Sequence, residues 1–226
     1  MLLCIPDVLA PREVDLCREA LSEAPWADGR ITAGHQSIKA KRNLQLPYDC
    51  AQARDLGAVV LHALERNATF MSAALPKRIY PPLFNRYDAG MSFGAHVDNA
   101  IRPIPASPAR LRTDVSATLF LSAPDEYCGG ELIIEDTYGA QRVKLDAGAL
   151  VLYPATSRHS VAPVTRGSRL ASFFWVESMV REDSDRALLY DLDRAILDLG
   201  ASHGDHSALL TLTVVYHNLI RKWASV

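Results

Sequence analysis

Apolar residues recur at helical spacing near both ends of the chain and in short strand-like runs through its middle. Pro11 stands where a first-turn proline would, and Val14, Cys17, Leu21 and Ala24 follow at intervals of three and four, which predicts a helix with one apolar face. A second helix is predicted through Leu56, Val59, Val60, Ala63 and Leu64, with His62 off that stripe and exposed. Between them, Gly29 to Leu46 reads as extended or irregular chain. From Arg78 the texture changes to apolar runs separated by Gly, Pro and Asp at intervals of about ten residues. Strands are predicted near 79–87, 92–97, 115–121, 131–136, 141–145, 149–153, 159–163 and 168–176, with Tyr138-Gly139 and Asp146-Ala-Gly148 as hairpin turns. After Val176 the helical period returns in Leu188, Leu192, Ile196 and Leu199. A Gly/Ser/His connector follows, and then Leu210, Val214, Asn218 and Ile220 to Trp223.

This pattern predicts an α+β chain with a mainly β core: a double-stranded β-helix, or jelly roll, flanked by N-terminal and C-terminal helices. The expected organisation is one structural unit with a helical and extended flank over 1–78, the jelly-roll core over 79–176 and a helical extension over 177–226. The last two helices are expected to pack outside the barrel or to pair with a second copy in a homo-oligomer.

Composition narrows the function classes. Lys and Arg number 24 against 26 Asp and Glu, a formal charge of −2, and no basic block stands out, so nucleic acid is not an expected partner. Lys39, Lys41 and Arg42 form the densest basic spot and read as a solvated face. Cys4, Cys17, Cys50 and Cys128 are scattered with no C-x-x-C, which argues against a zinc knuckle or a disulfide framework and fits a reducing cytoplasm. Pro6 and Asp7 cut short the apolar Met1-Leu-Leu-Cys-Ile5, so it does not read as a secretory signal. No apolar run reaches the ~18 residues of a membrane span.

The candidate chemistry lies in His96-Val97-Asp98 with His159 and Arg169 downstream. Positions i and i+2 of a strand share a face, so His96 and Asp98 can share one ion. Two imidazoles and a carboxylate leave three positions of an octahedron open, the donor set of non-haem Fe(II) oxygenases. A hairpin with Thr165-Arg166-Gly167 as its loop would pair Pro163 with Arg169, on the face of His159. That places Arg169 about 13 Å along the strand, where its planar fork could grip the far carboxylate of an extended diacid bound at the ion. A rival constellation, His203-Gly204-Asp205 with His206, His217 and Arg221, sits on a Gly-bearing connector and reads as solvated chain.

Asn85-Arg-Tyr-Asp-Ala-Gly-Met-Ser-Phe-Gly-Ala-His-Val-Asp-Asn99, Cys128-Gly-Gly-Glu-Leu132, Tyr153-Pro154 and His159-Ser-Val-Ala-Pro-Val-Thr-Arg-Gly-Ser-Arg169 resemble the PKHD-type hydroxylases. These are a bacterial branch of the prolyl- and lysyl-hydroxylase-like iron and 2-oxoglutarate dioxygenases associated with iron uptake. The resemblance runs from Trp26-Ala-Asp-Gly29 and Thr32-Ala-Gly34 to Tyr216-His-Asn-Leu-Ile-Arg221. It implies Fe(II) on His96, Asp98 and His159, with Arg169 binding 2-oxoglutarate and Tyr87 offering it a hydroxyl. It also implies O2 as cosubstrate, L-ascorbate as reductant, and hydroxylation of a small molecule or amino-acid side chain with release of succinate and CO2. Lys41-Arg-Asn-Leu-Gln45 departs from the amide-rich run of the family, so no role is carried over to Asn43 or Gln45.

Three further expectations concern the surroundings of the site. Asn99 to Asp114, with Arg102, Arg110 and Arg112, reads as a long loop without secondary structure that could act as a lid favouring an anionic substrate. Tyr153, Phe173, Phe174 and Trp175 read as core. The triad alone would also suit a zinc hydrolase, a cupin-type metalloenzyme, or a module that senses iron or 2-oxoglutarate without turnover.

Overall fold

A computed structural model describes residues 1–32, 40–136, 139–204 and 206–226. The chain opens with β1 (Leu3–Ile5), α1 (Pro11–Ser22), β2 (Ala27–Asp28), a 3-10 turn at Gly29–Thr32, β3 (Lys41–Arg42) and β4 (Leu44–Gln45). Helices α2 (Ala51–Glu65) and α3 (Ala68–Ala74) lead to β5 (Pro76–Ile79), β6 (Leu83–Asp88), β7 (Ser92–His96), β8 (Ile101–Pro103), β9 (Arg110–Arg112) and β10 (Val115–Phe120). Then come β11 (Cys128–Gly129), β12 (Leu132–Asp136), β13 (Gly139–Val143), β14 (Leu150–Pro154), β15 (His159–Val161), β16 (Val164–Arg166) and β17 (Ser168–Ser178). Helices α4 (Asp183–His203) and α5 (Ser207–Trp223) close the chain.

Two antiparallel sheets face each other. The larger runs β1-β14-β10-β17-β6-β4-β2, with β5 also on β17; the smaller runs β13-β12-β15-β7-β3. The N-terminal strands therefore extend both sheets. Alternation decides what each face of the larger sheet meets. Leu119, Leu150, Leu152, Phe174 and Val176 point outward and pack on Val14, Cys17 and Leu21 of α1 and on Leu56, Val60 and Leu64 of α2. Asn85, Tyr87, Ser116, Tyr153, Arg169 and Trp175 line an inner cavity toward the smaller sheet. Glu13 accepts from the Ala10 amide at 2.8 Å and Asn67 from the Phe70 amide at 2.9 Å, each satisfying a donor at a helix start.

The jelly-roll architecture is as the patterning predicts, and the eight expected strands correspond to elements from β5 to β17. Several details differ. The strand expected over 79–87 breaks between β5 and β6 at Pro81-Pro82, which have no amide hydrogen to give a ladder. Asp146 to Gly148 does turn, with the Ala149 amide on the Asp146 carbonyl at 3.1 Å, but it joins β13 and β14 of different sheets and so is not a hairpin. The expected 165–167 hairpin is also absent. β16 pairs with β11, where a side chain on Gly129 would run into the Pro163 carbonyl at 2.1 Å, and β17 crosses to the larger sheet. Asn99 to Asp114 is a β8–β9 hairpin, its base tied by the Thr113 amide to the Ala100 carbonyl at 2.9 Å. Helix α3 occupies a stretch for which no element was predicted. Tyr138, within an expected turn, and Ala33, Gly34 and Lys39 lie outside the described residues.

The C-terminal helices follow the expected stripes in part: Leu192, Ile196 and Leu199 of α4 and Ile220 and Trp223 of α5 are half-buried. Leu189 is fully buried with Leu75 and Val180, and Tyr216, Leu219, Ile220 and Trp223 pack against that cluster. Leu188, Leu210 and Val214 instead are exposed, at 57%, 73% and 49%. The buried Arg186 guanidinium selects this phase by donating to the Val180 and Arg181 carbonyls at 2.8 and 2.7 Å. No described helix is long and apolar enough to cross a membrane. Leu189→Ala is expected to cost about 2–4 kcal/mol in urea denaturation, and Leu188→Ala no more than about 0.5 kcal/mol; equal effects would contradict this phase.

Candidate active site

Strand register brings the two histidines together. His159 on β15 is the direct cross-strand partner of His96 on β7, with ring centroids 4.2 Å apart. Each Nδ1 faces the carbonyl two residues earlier, Gly94 at 2.9 Å and Ser157 at 3.1 Å. A carbonyl can only accept, so each Nδ1 carries a proton and Nε2 is the ring nitrogen left to meet an ion. Phe93 stacks on His96 at 3.7 Å between centroids, and Tyr153 meets His159 edge-on at 5.1 Å. Burial, and then the neighbouring His159, push the His96 pKa down to about 4, so its ring is neutral at neutral pH, as a metal ligand must be.

Asp98 arrives differently from expected. β7 ends at His96, so alternation along one strand does not aim the carboxylate. The Ser116 hydroxyl, on β10 of the facing sheet, donates to Asp98 Oδ2 at 2.6 Å and holds it 3.8 Å from His159 Nε2. The donor atoms of His96, Asp98 and His159 all lie within 4.8 Å of one another. Two imidazoles and one carboxylate so gathered fit a divalent ion with sites to spare.

Arg169 is reached across the cavity and not along a shared hairpin. It lies in β17 opposite Tyr87 of β6, is 1% exposed, and its Nε and Nη1 have no hydrogen-bond partner. Its guanidinium carbon sits 5.4 Å from the Tyr87 ring and 5.1 Å from that of Phe120. Among the described residues no carboxylate pairs with it, and leaving such a charge uncompensated costs about 3–5 kcal/mol. An incoming carboxylate removes that penalty. Burial raises the Tyr87 pKa to about 12, so its hydroxyl stays a proton donor beside the same guanidinium.

Triad and guanidinium line one and the same open cavity. Lys41, expected on a solvated face, is 4% exposed and lines this cavity, its Nζ donating to Gln45 Oε1 at 3.0 Å. Burial, reinforced by the Arg102 charge, pushes its pKa down to about 8. Arg102 joins it from the β8–β9 hairpin, whereas Arg110 is exposed and Arg112 is bound to Asp114 at 2.7 Å. Of the four aromatics read as core, Phe174 packs beneath the helices, whereas Tyr153, Phe173 and Trp175 face the cavity. Ser116 and Lys41 carried no local sequence signal, because their roles arise from contacts between sheets. The rival constellation stays apart. His203, His206 and His217 are exposed on or between α4 and α5, His206 caps α5 through Ala208, and Asp205 lies outside the described residues.

Residues 82–177 match the 2OG-Fe(II) oxygenase superfamily and residues 183–225 match the PKHD-type hydroxylase C-terminal domain. A PKHD-type hydroxylase of Gluconobacter oxydans is 63% identical over 227 residues, covering all of both chains. The fold resembles a prolyl-4-hydroxylase of Pseudomonas putida, with TM-score 0.53 and 19% identity over 78% of this chain and 92% of that one. It also resembles a viral collagen prolyl hydroxylase of Paramecium Bursaria Chlorella virus-1 in a 2OG complex, with TM-score 0.55 and 16% identity over 78% and 96%. The chain belongs to the PKHD-type hydroxylases, enzymes of the 2-oxoglutarate- and Fe(II)-dependent oxygenase superfamily.

Proposed function

We propose that this enzyme hydroxylates a small molecule or amino-acid side chain, with His96, Asp98 and His159 holding Fe(II) and Arg169 anchoring 2-oxoglutarate. The observation that carries the reading is the buried, unpaired Arg169 guanidinium sharing a cavity with a convergent His-Asp-His cluster. Iron(II), when bound there, supplies the redox chemistry by which O2 converts 2-oxoglutarate to succinate and CO2 and places one oxygen atom in a substrate C–H bond.

The chain's own contribution is placement. The Gly94 and Ser157 carbonyls fix both imidazole tautomers, and Ser116 orients the Asp98 carboxylate. Arg169 holds the far carboxylate of 2-oxoglutarate by charge-assisted hydrogen bonds, and the Tyr87 hydroxyl donates to the same end. Leu132, Val161 and Phe93 wall the cavity with apolar surface, which limits water beside the reacting groups.

The test begins anaerobically with Fe(II) and 2-oxoglutarate, which should give a visible metal-to-ligand charge-transfer band. Admitting O2, with L-ascorbate as reductant, should then release succinate. A band with no succinate, even with candidate substrates, would favour a sensor. His96→Ala and Asp98→Ala should reduce both the band and succinate release to background. Ser116→Ala should weaken iron binding about tenfold and retain turnover at saturating iron; unchanged iron affinity would remove Ser116 from the site. Arg169→Ala should raise the 2-oxoglutarate needed for half of the band by about 10- to 100-fold, and an unshifted titration would refute its anchoring role.

A further inference from the structure

The cavity carries more positive charge than the cosubstrate explains. Among the described residues its lining holds three basic side chains, Lys41, Arg102 and Arg169, and a single acid, Asp98. On the reading above, Arg169 is matched by the far carboxylate of 2-oxoglutarate, while Asp98 and the near carboxylate balance the metal. Arg102 is left at the mouth. Among the described residues it has no ion-pair partner, and its Nε is buried without a hydrogen bond.

Arg102 is also held in place. Its guanidinium carbon lies 3.8 Å from the Trp175 ring centroid and 5.3 Å from that of Tyr80. Stacking of this kind fixes the plane of the guanidinium and leaves its N–H edges free to bind a carboxylate in two-point fashion. The supporting hairpin starts just beyond Asp98 and is tied by the Thr113 hydroxyl to the Asn99 carbonyl at 2.8 Å, so the group is fixed relative to the triad. Flat apolar surface adjoins it: Phe173 meets Trp175 edge-on at 5.7 Å, and Phe93 and Phe173 lie 5.3 and 5.9 Å from the Lys41 ammonium.

We propose that Arg102 is the anchor for the primary substrate and that this substrate is a carboxylate with an aromatic or similarly flat apolar body. Its anionic end sits at Arg102, in the positive field that Lys41 reinforces, and its body lies on Phe173 and Trp175 toward the triad. Arg102 is thus a specificity residue, separate from the cosubstrate anchor. The inference rests on the oxygenase reading only in reserving Arg169 for 2-oxoglutarate.

The test uses benzoate and its neutral isostere benzamide by titration calorimetry on metal-free protein, in an Arg169→Ala background that removes the cosubstrate anchor. Benzoate should bind saturably and benzamide about tenfold more weakly, or not at all. Adding Arg102→Gln should weaken benzoate about tenfold, and Arg102→Lys should recover part of the loss. Wild-type protein filled with Zn(II) and 2-oxoglutarate should rank the two probes in the same order. Absence of benzoate binding, or binding indifferent to Arg102→Gln, would overturn the proposal. Neither result would touch the oxygenase reading, which is decided by the iron charge-transfer band and succinate release.

Discussion

A guanidinium buried to 1% exposure, with no acid paired to it among the described residues, is the constraint around which this enzyme is organised. Burying an unpaired charge is unfavourable enough to be selected against unless a ligand supplies the counter-charge. Arg169 cannot turn away, because it belongs to β17, flanked by β10 on one side and β6 on the other. Its alternate neighbours Leu170, Phe174 and Val176 are committed to the apolar layer beneath the helices. The period of two that builds the core thus drives the Arg169 side chain into the cavity.

The triad forms at the junction of the two sheets. The histidines are a cross-strand pair of the smaller sheet, and Asp98 is secured by Ser116 of the larger one. The geometry of the three donor groups therefore depends on the spacing between sheets, which the helix-backed core of the larger sheet keeps rigid. The hairpin bearing Arg102 follows Asp98 directly, so groups placed at the mouth answer to the same framework.

How much of this was legible in the sequence depends on how local each cause is. His96, Asp98, His159 and Arg169 stood out by residue type and motif, and the helix and strand periods gave the jelly roll with its flanks. Their geometric justification was less legible. Arg169 was expected along one hairpin from His159, yet it reaches the site from the opposite sheet because β16 leaves to pair with β11. Lys41 looked like a surface charge, since nothing local shows that β3 adds to the cavity wall beside β7. The phase of α4 was ambiguous because Leu188 and Leu189 are adjacent, and the choice rests on a buried arginine that capped nearby carbonyls. The hairpin inside 99–114 was hidden by its prolines, which interrupt any strand pattern.

The central claim is that one cavity holds a metal at the His-Asp-His cluster and a diacid between it and Arg169. A crystal structure of the protein with Mn(II) and 2-oxoglutarate measures this most directly. The account predicts the ion on His96, Asp98 and His159, and the far carboxylate of 2-oxoglutarate bonded to Arg169 Nε and Nη1. An ion bound elsewhere, or a diacid whose far end avoids Arg169, would contradict it.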